Sequence, residues 1–484
     1  MESDRSQNQT FEVFKKCTAD GRLTLYLEKR NFYDHLTNVD PIDGVLSFDS
    51  KTLKSFQVHI MISCGCRYGR EDLDVLGLTF QKDLLLCVRQ IWPESDQSTK
   101  KIKTKSNRGW RRRFKEPGTK GEDPNVENQP ELLERVPDNP NSGDVILTSG
   151  FDHSYAQRRL MARLGPKAYP FRIKLPPFAP SSITIQPSEE EADKLCGVTY
   201  ELTAFIGKRI SESTMQNSSV SILIRKLTPG PPIDLRPIRS SCVRCTRAPM
   251  SECYGTVSLT LNLESSLFYH DEDVSVQLDI DNASRLSVRK VRLSIVQIAE
   301  LYMVTKGTYR SVVDSVRVRD GIPISSGTTG WAKKCVLHTS LSDGNKKRGL
   351  ALDGLLKNEK VTLASSTIYR IPPNGTTYHE TMRSTFGDII QSPGTQFVKE
   401  MQGIIISYVV RAQCWVGLSV ITLQIPFLLM HPSWKCSDFE QTQLIAKRKS
   451  PHSEAAEQED EFTRYEELNL PDVLPADCSR GQNS

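Results

Sequence analysis

The sequence predicts an all-β protein: two antiparallel β-sandwich domains, one short helix in the N-terminal domain, and a C-terminal tail. Three observations carry that prediction. Apolar residues recur with a period of two at Leu23, Leu25 and Leu27, at Phe56, Val58, Ile60 and Ile62, and at Val257, Leu259, Leu261 and Leu263. Successive side chains of a strand face opposite sides, so such alternation marks strands with one buried face. Each run is bounded by Gly, Asp, Asn, Ser or Pro, which break or turn a strand. Finally, a Pro-rich stretch, Thr228-Pro-Gly-Pro-Pro-Ile-Asp-Leu-Arg-Pro237, separates two strand-rich halves of the 484-residue chain, as a linker between sandwiches would.

The elements follow in order. Residues 8–228 are assigned to the first sandwich, 229–237 to the linker, 238–434 to the second sandwich and 435–484 to an acidic regulatory tail. One helix stands out in the first half. Ser154 can cap its start, Ala156, Leu160 and Leu164 fall on one face, and Gly165 can close it. It is also basic, with Arg158, Arg159 and Arg163. In the second half Val274, Val276, Leu278 and Ile280, then Val291, Leu293 and Ile295, continue the period of two. The most apolar stretch, Gly403 to Met430, is interrupted by Arg411, Gln413, Gln424 and Pro426, and so reads as two adjacent strands, not a bilayer span. Two polar stretches, about 94–153 and about 372–399, lack an apolar pattern and read as inserted, disordered surface loops.

Composition excludes several classes. With 38% hydrophobic residues the chain can build real cores, so it is not wholly disordered. A net charge of +5 is too mild to imply nucleic acid by itself. The polar stretch from Met1 to Thr10 is not a signal peptide, which implies a cytoplasmic protein. Twelve cysteines are too few for a disulfide scaffold. Cys242, Cys245 and Cys253 lack a fourth ligand at zinc-site spacing and read as loop thiols. None of the eight histidines sits in a metal-spaced pair, and there is no G-x-S-x-G, P-loop or dinucleotide fingerprint. The expectation is a protein that is not an enzyme and takes no cofactor and no metal.

Charge is polarised instead. Lys15, Lys16, Lys29 and Arg30 lie on N-terminal strands and Arg163 on the helix, while eight acids stand between Glu454 and Asp472 against the single base Arg464. A basic β-surface and an acidic tail can pair within the molecule, and an external polyanion could displace the tail; two solvated charge runs are the plainer reading. Between Lys100 and Lys120 there are ten Lys or Arg and one Glu, with Trp110 and Phe114 among them. This run reads first as a solvated loop, with contact to anionic phospholipid, nuclear import or RNA binding as other readings. Two aromatic platforms are few for RNA, so no nucleic acid is expected.

Several blocks then bring a family into view. They are Phe14-Lys-Lys16, Leu25-Tyr-Leu-Glu-Lys-Arg30 with Asp34-His35, and Arg67-Tyr-Gly-Arg-Glu-Asp-Leu-Asp-Val-Leu-Gly-Leu-Thr-Phe80. Cys196-Gly-Val198, Ile224-Arg-Lys226, Arg348-Gly-Leu-Ala-Leu-Asp-Gly354, Leu363-Ala-Ser-Ser-Thr-Ile368 and Leu429-Met-His-Pro432 follow in order. With these blocks the chain resembles the arrestin family, in its non-visual, β-arrestin-like form, as a divergent member with two insertions. The resemblance implies an arrestin-like pair of sandwiches and a non-catalytic adaptor. Such an adaptor binds active, phosphorylated seven-helix G-protein-coupled receptors, desensitises them and supports their internalisation, moving from the cytoplasm to the plasma membrane. Two alternatives stand beside it. One is a photoreceptor-type arrestin that quenches rhodopsin signalling without strong clathrin recruitment. The other is a trafficking scaffold of the wider arrestin clan, which would need Pro-Pro-x-Tyr motifs that this tail lacks.

The resemblance also implies roles residue by residue. Lys15 and Lys16 match paired lysines that sense receptor phosphates, and Arg30, Arg163 and Lys357 match other phosphate-contacting bases. Glu12 stands where β-arrestins carry a base. Tyr68, Gly69, Arg70, Glu71, Asp72, Leu73, Asp74, Val75, Leu76, Gly77 and Leu78 match the finger loop that enters the receptor's cytoplasmic cavity. Arg225, Asp353 and Arg464 match three members of a buried polar core of two Arg and three Asp. Asn31 and Lys360 replace the other two Asp, which leaves three cations against one carboxylate, a net +2. Unpaired buried charge is costly, so either Glu359 turns in or the cluster opens to water. Phe462 is the remaining apolar tail anchor and keeps part of the motif for the clathrin adaptor, while Leu468-Asn-Leu-Pro-Asp472 is a poor clathrin box. Clathrin adaptor, clathrin and anionic phospholipid are the further partners implied. The hairpin Cys414-Trp-Val-Gly-Leu-Ser-Val420 is short for the family's membrane contact. The altered charge set and reduced tail anchor predict an inactive state held less tightly than the family's.

Overall fold

The computed structural model describes residues 11–35, 38–53, 56–68, 80–93, 145–176, 179–186, 196–207, 218–230, 238–247, 253–302, 306–341, 349–354, 356, 361–368, 402–432 and 464–468. Strands β1 (Phe11–Cys17), β2 (Leu23–Leu27), β4 (Ile42–Phe48), β7 (Ile146–Leu147) and β8 (Ala168–Ile173) form one sheet. The tail strand β22 (Arg464–Leu468) closes its edge, giving the order β22-β1-β2-β4-β8-β7. A seven-stranded sheet packs against it. It holds β3 (Asn31–Tyr33), β5 (Gln57–Tyr68), β6 (Phe80–Trp92), β9 (Ile183–Ile185), β10 (Cys196–Gly207), β11 (Ser219–Leu227) and β19 (Ala351–Asp353).

The second sandwich repeats the plan. Strands β12 (Ile238–Arg247), β13 (Cys253–Leu263), β15 (Asp273–Ser284) and β18 (Trp331–His338) form a four-stranded sheet. Strands β14 (Leu267–Tyr269), β16 (Val288–Tyr302), β17 (Lys306–Val318), β20 (Ile404–Val416) and β21 (Ser419–Met430) form a five-stranded one. Pairing among the described strands is antiparallel except for β3 on β11 and β14 on β21. The apolar stretch ending at Met430 is thus the antiparallel pair β20–β21. Among the described residues no helix is long and apolar enough to cross a membrane.

The period of two puts the expected residues inside. Val257, Leu259 and Leu261 on β13 and Val274, Val276 and Leu278 on β15 are fully buried. Each such side chain contributes roughly 1.5–3 kcal/mol relative to exposure. Strand β2 departs from the pattern, because Tyr26 is buried as well as Leu25 and Leu27. Its outer face lies under helix α2 (Tyr155–Leu164), where Tyr26 packs with Val13, Val45 and Leu160. Ser154 and Gln157 form a reciprocal capping box at the helix start, and Gly165, at φ 59°, ends it by donating to the Met161 carbonyl. The Gln157 amide also donates to the Gly44 and Phe171 carbonyls, fastening α2 to the sheet. The N-terminal half carries a second helical turn, α1 (Ser50–Leu53), which the sequence pattern did not mark.

Three expectations change. The first insertion ends earlier than residue 153. Ile146 is buried on β7, which pairs with β8, and Phe151 lies under the Arg172 guanidinium, itself paired with Asp43 at 2.6 Å. Cys242 and Cys245 lie on β12 and Cys253 opens β13, so they are strand residues and not loop thiols. Finally, β19 comes from the second half of the chain but pairs with β9 of the first sandwich. Gln297 on β16 exchanges hydrogen bonds of 2.7 Å with the Ala351 backbone and also donates to the Tyr408 hydroxyl. Residues 351–353 therefore bridge the two sandwiches.

Candidate functional site

Adjacent residues of β1 face opposite ways, and this separates the two lysines. Val13 packs on the α2 side, whereas Phe14 enters the main core. Lys15 follows Val13: its ammonium lies 5.9 Å from the centre of the Tyr26 ring. Lys16 follows Phe14 inward and donates to the Ser221 carbonyl on β11 at 2.6 Å. Both are half-buried. Arg30 is buried with its guanidinium 4.8 Å above the Phe14 ring. Arg163 is exposed in the last turn of α2. Lys357 lies outside the described residues.

Strand β22 pairs antiparallel with β1, so the tail is docked. Lys15 stands opposite Arg464, and Glu12 opposite Glu467. Like charges directly opposite each other weaken a strand pair, typically by ~0.2–1 kcal/mol. The register thus lays the tail segment along the edge that carries Lys15, one of the expected phosphate contacts.

Two of the expected polar-core residues come together. Strands β3 and β11 run parallel with Arg225 opposite Asn31. The Arg225 guanidinium donates to the Asn31 side-chain oxygen at 2.9 Å and to the Gly354 carbonyl at 3.3 Å. Asp353, next to Gly354, accepts from Thr362 at 2.8 Å and contacts the His431 ring. Burial alone would push the Asp353 carboxyl up. The charge and hydrogen bond of His431, with His270 and Thr362, hold it below the ordinary carboxylate range. Of the two readings left by the sequence, Glu359 turning in or the cluster opening to water, the second does not hold for the described members: Arg225, Asn31 and Asp353 are 6%, 7% and 3% exposed. Carbonyl and amide oxygens around Arg225, and histidine and hydroxyl donors around Asp353, satisfy them there. Glu359, Lys360 and Phe462 lie outside the described residues, and Arg464 is placed by its backbone register alone.

Sequence reasoning missed two sets of residues beside this cluster. Lys226 and Asp34 form a buried ion pair at 2.6 Å, one residue along β11 from Arg225. Burial pulls the Lys226 ammonium well below the ordinary lysine range, to about 7, even with the Asp34 carboxylate 2.6 Å away. Both belong to blocks that carry the family resemblance, Asp34-His35 and Ile224-Arg-Lys226, but nothing local in either block says that they meet. His431, likewise, stands in Leu429-Met-His-Pro432 without any local sign that it reaches Asp353. Tyr68 ends β5 opposite Phe80, so a β5–β6 hairpin presents the expected finger loop, whose residues 69–78 lie outside the described residues.

Two β-sandwiches bridged by a strand of the second half, with the tail paired to the first strand, define a class of two-sandwich protein closed by its own C-terminal segment. Residues 253–434 match the family model described as "Arrestin (or S-antigen), C-terminal domain". The chain is 33% identical to "Beta-arrestin-2" of Rattus norvegicus over 426 residues, covering 87% of this chain and 83% of the relative. It is 32% identical to "Arrestin red cell isoform 2" of Oncorhynchus mykiss over 422 residues, 87% of this chain and 84% of the relative. "Beta-arrestin-2" of Homo sapiens matches at 32% over 426 residues, 87% and 83% of the two chains. The chain belongs to the arrestin family.

Proposed function

We propose that this protein is a non-catalytic adaptor that binds active, phosphorylated seven-helix G-protein-coupled receptors. Binding desensitises the receptor and supports its internalisation, with recruitment from the cytoplasm to the plasma membrane. The observation that carries the reading is the docked tail: β22 covers the β1 edge in a register that opposes Lys15 to Arg464 and Glu12 to Glu467. A phosphorylated receptor segment brings about −1.5 to −2 charge per phosphate and strong hydrogen-bond acceptors, for which Lys15 and Arg30 are the expected partners. Displacement of β22 then frees the tail, whose Phe462 region serves as the contact for the clathrin adaptor, with clathrin and anionic phospholipid as further partners. The finger loop between β5 and β6 supplies selectivity for the active receptor.

The division into a first sandwich over 8–228, a linker over 229–237, a second sandwich over 238–434 and a regulatory tail is part of the same reading. Pulldown of the full chain against one receptor in four states tests it: active or inactive, phosphorylated or not. Strongest capture of the active, phosphorylated form is expected. Equal capture of all four would overturn the proposal.

A further inference from the structure

Two strands of the second sandwich and one bridging strand bring three metal-ligating side chains to one point. Strand β14 runs parallel to β21 with Tyr269 opposite Met430, so His270 and His431 follow side by side just beyond the pair. The backbone fixes both: the His270 amide donates to the Met430 carbonyl at 3.1 Å, and Gly230 donates to the His431 carbonyl at 2.7 Å. Their rings meet edge to face with centres 4.3 Å apart. Asp353 arrives from β19, which belongs to the first sandwich's sheet. One nitrogen from each ring and one Asp353 oxygen all lie within 4.8 Å of one another.

We propose that His270, Asp353 and His431 form a binding site for a divalent transition-metal ion, Zn2+ by its ligand chemistry, that ties the bridging strand to the second sandwich. Two imidazoles and a carboxylate suit a borderline ion such as Zn2+, and a water can complete its four positions. Bonds of ~2.0–2.2 Å in a tetrahedral site place ligand atoms about 3.3 Å apart, so side-chain shifts on the order of 1 Å close this cluster onto an ion. The carboxylate is already oriented as such ligands are. Its oxygens accept from the Thr362 hydroxyl at 2.8 Å and the Ser365 amide at 3.4 Å, leaving it aimed at His431. Metal ligation needs neutral imidazoles, so an ion here competes with protons for the two rings. The His431 side chain is 13% exposed, whereas Asp353 and the His270 ring nitrogens are buried. The proposal does not depend on the receptor reading.

The test uses the full chain, stripped with a chelator and then titrated with Zn2+ against a competing chromophoric chelator. Uptake of one ion per chain is expected, with a higher unfolding temperature at excess Zn2+. His270→Gln removes one ligand and leaves the His431–Asp353 contact. It should weaken binding at least tenfold while the metal-free variant unfolds where metal-free wild type does. Co2+ bound to wild type provides a readout that needs no variant, and intense visible bands without thiolate charge transfer are expected. Absence of stoichiometric uptake, equal affinity in His270→Gln, or a cobalt spectrum showing thiolate ligands would each overturn the assignment. The last would move the metal to cysteines such as Cys242 and Cys245.

Discussion

Two strand pairs of the first sandwich treat charge in opposite ways. Inside, β3 and β11 lie beside a matched pair, Lys226 against Asp34, both almost completely buried at 2% and 5% side-chain exposure. At the edge, β1 and β22 stand in a register that sets base against base and acid against acid. The interior pair is a closed contact: removing either partner strands the other in a medium that cannot solvate it. The edge pair is an antiparallel ladder between β1 and the tail, with Lys15 and Arg464 at one register position and Glu12 and Glu467 at another. Between the two lies Arg225, one residue from Lys226 on β11, which meets the neutral Asn31 where the family's pattern carries an Asp. The proposal of tail release turns on this difference between the two strand pairs.

The comparison breaks most visibly at Asp34. Asp34→Ala should destabilise the protein by ~3–5 kcal/mol in urea unfolding, because it leaves the Lys226 ammonium buried without its carboxylate. A loss below ~1 kcal/mol would mean that the ammonium relaxes to water, and the interior pair would not be closed. At the edge, Lys15→Ala with Lys16→Ala should weaken binding of phosphorylated receptor by ~1–3 kcal/mol and spare the unphosphorylated active form. Equal loss for both forms would remove β1 from phosphate sensing. Because the two lysines face opposite ways, Lys15→Ala alone should carry most of the phosphate effect. Lys16→Ala should show mainly in stability, through the lost bond to Ser221.

A smaller effect is expected where interior and edge meet. Asn31→Asp with Lys360→Asp restores the family's acids and should hold the inactive state more tightly. A change of ~1.4 kcal/mol in that two-state equilibrium raises the phosphorylated-to-unphosphorylated binding ratio tenfold. An unchanged ratio, with wild type already strictly phosphate-dependent, would show that other groups compensate the cluster. The smallest effect belongs to Glu467→Lys, which replaces an acid opposite Glu12 with a base. It should tighten tail docking by ~0.2–1 kcal/mol, seen as a binding ratio raised by a few-fold at most.

Much of the fold was legible because strand patterning is local. Leu259 or Val276 needs only its neighbours two residues away to declare which face is buried, and Ser154 with Gln157 writes the helix start within four residues. Tyr26 was not legible as a buried residue, since its cover comes from Leu160, far along the chain. The opposed directions of Lys15 and Lys16 were available from strand alternation, but the family pattern drew attention to them as a pair. The Asp353 site is the least legible of all. Its partners His270 and His431 are separated by more than a hundred residues, and only the register of β14 on β21 and the crossing of β19 bring them together. The matched pair of Lys226 and Asp34 depends in the same way on the parallel approach of β3 to β11.

Tail release by a phosphorylated partner is the central claim, and amide hydrogen exchange reads it directly. In the free protein, residues 464–468 should be protected by their pairing with β1. Adding a saturating, multiply phosphorylated receptor-tail peptide should remove that protection while residues 23–27 of β2 stay protected. The same peptide without phosphates should leave both segments unchanged. Retained protection of 464–468 in the saturated phosphopeptide complex would contradict the account.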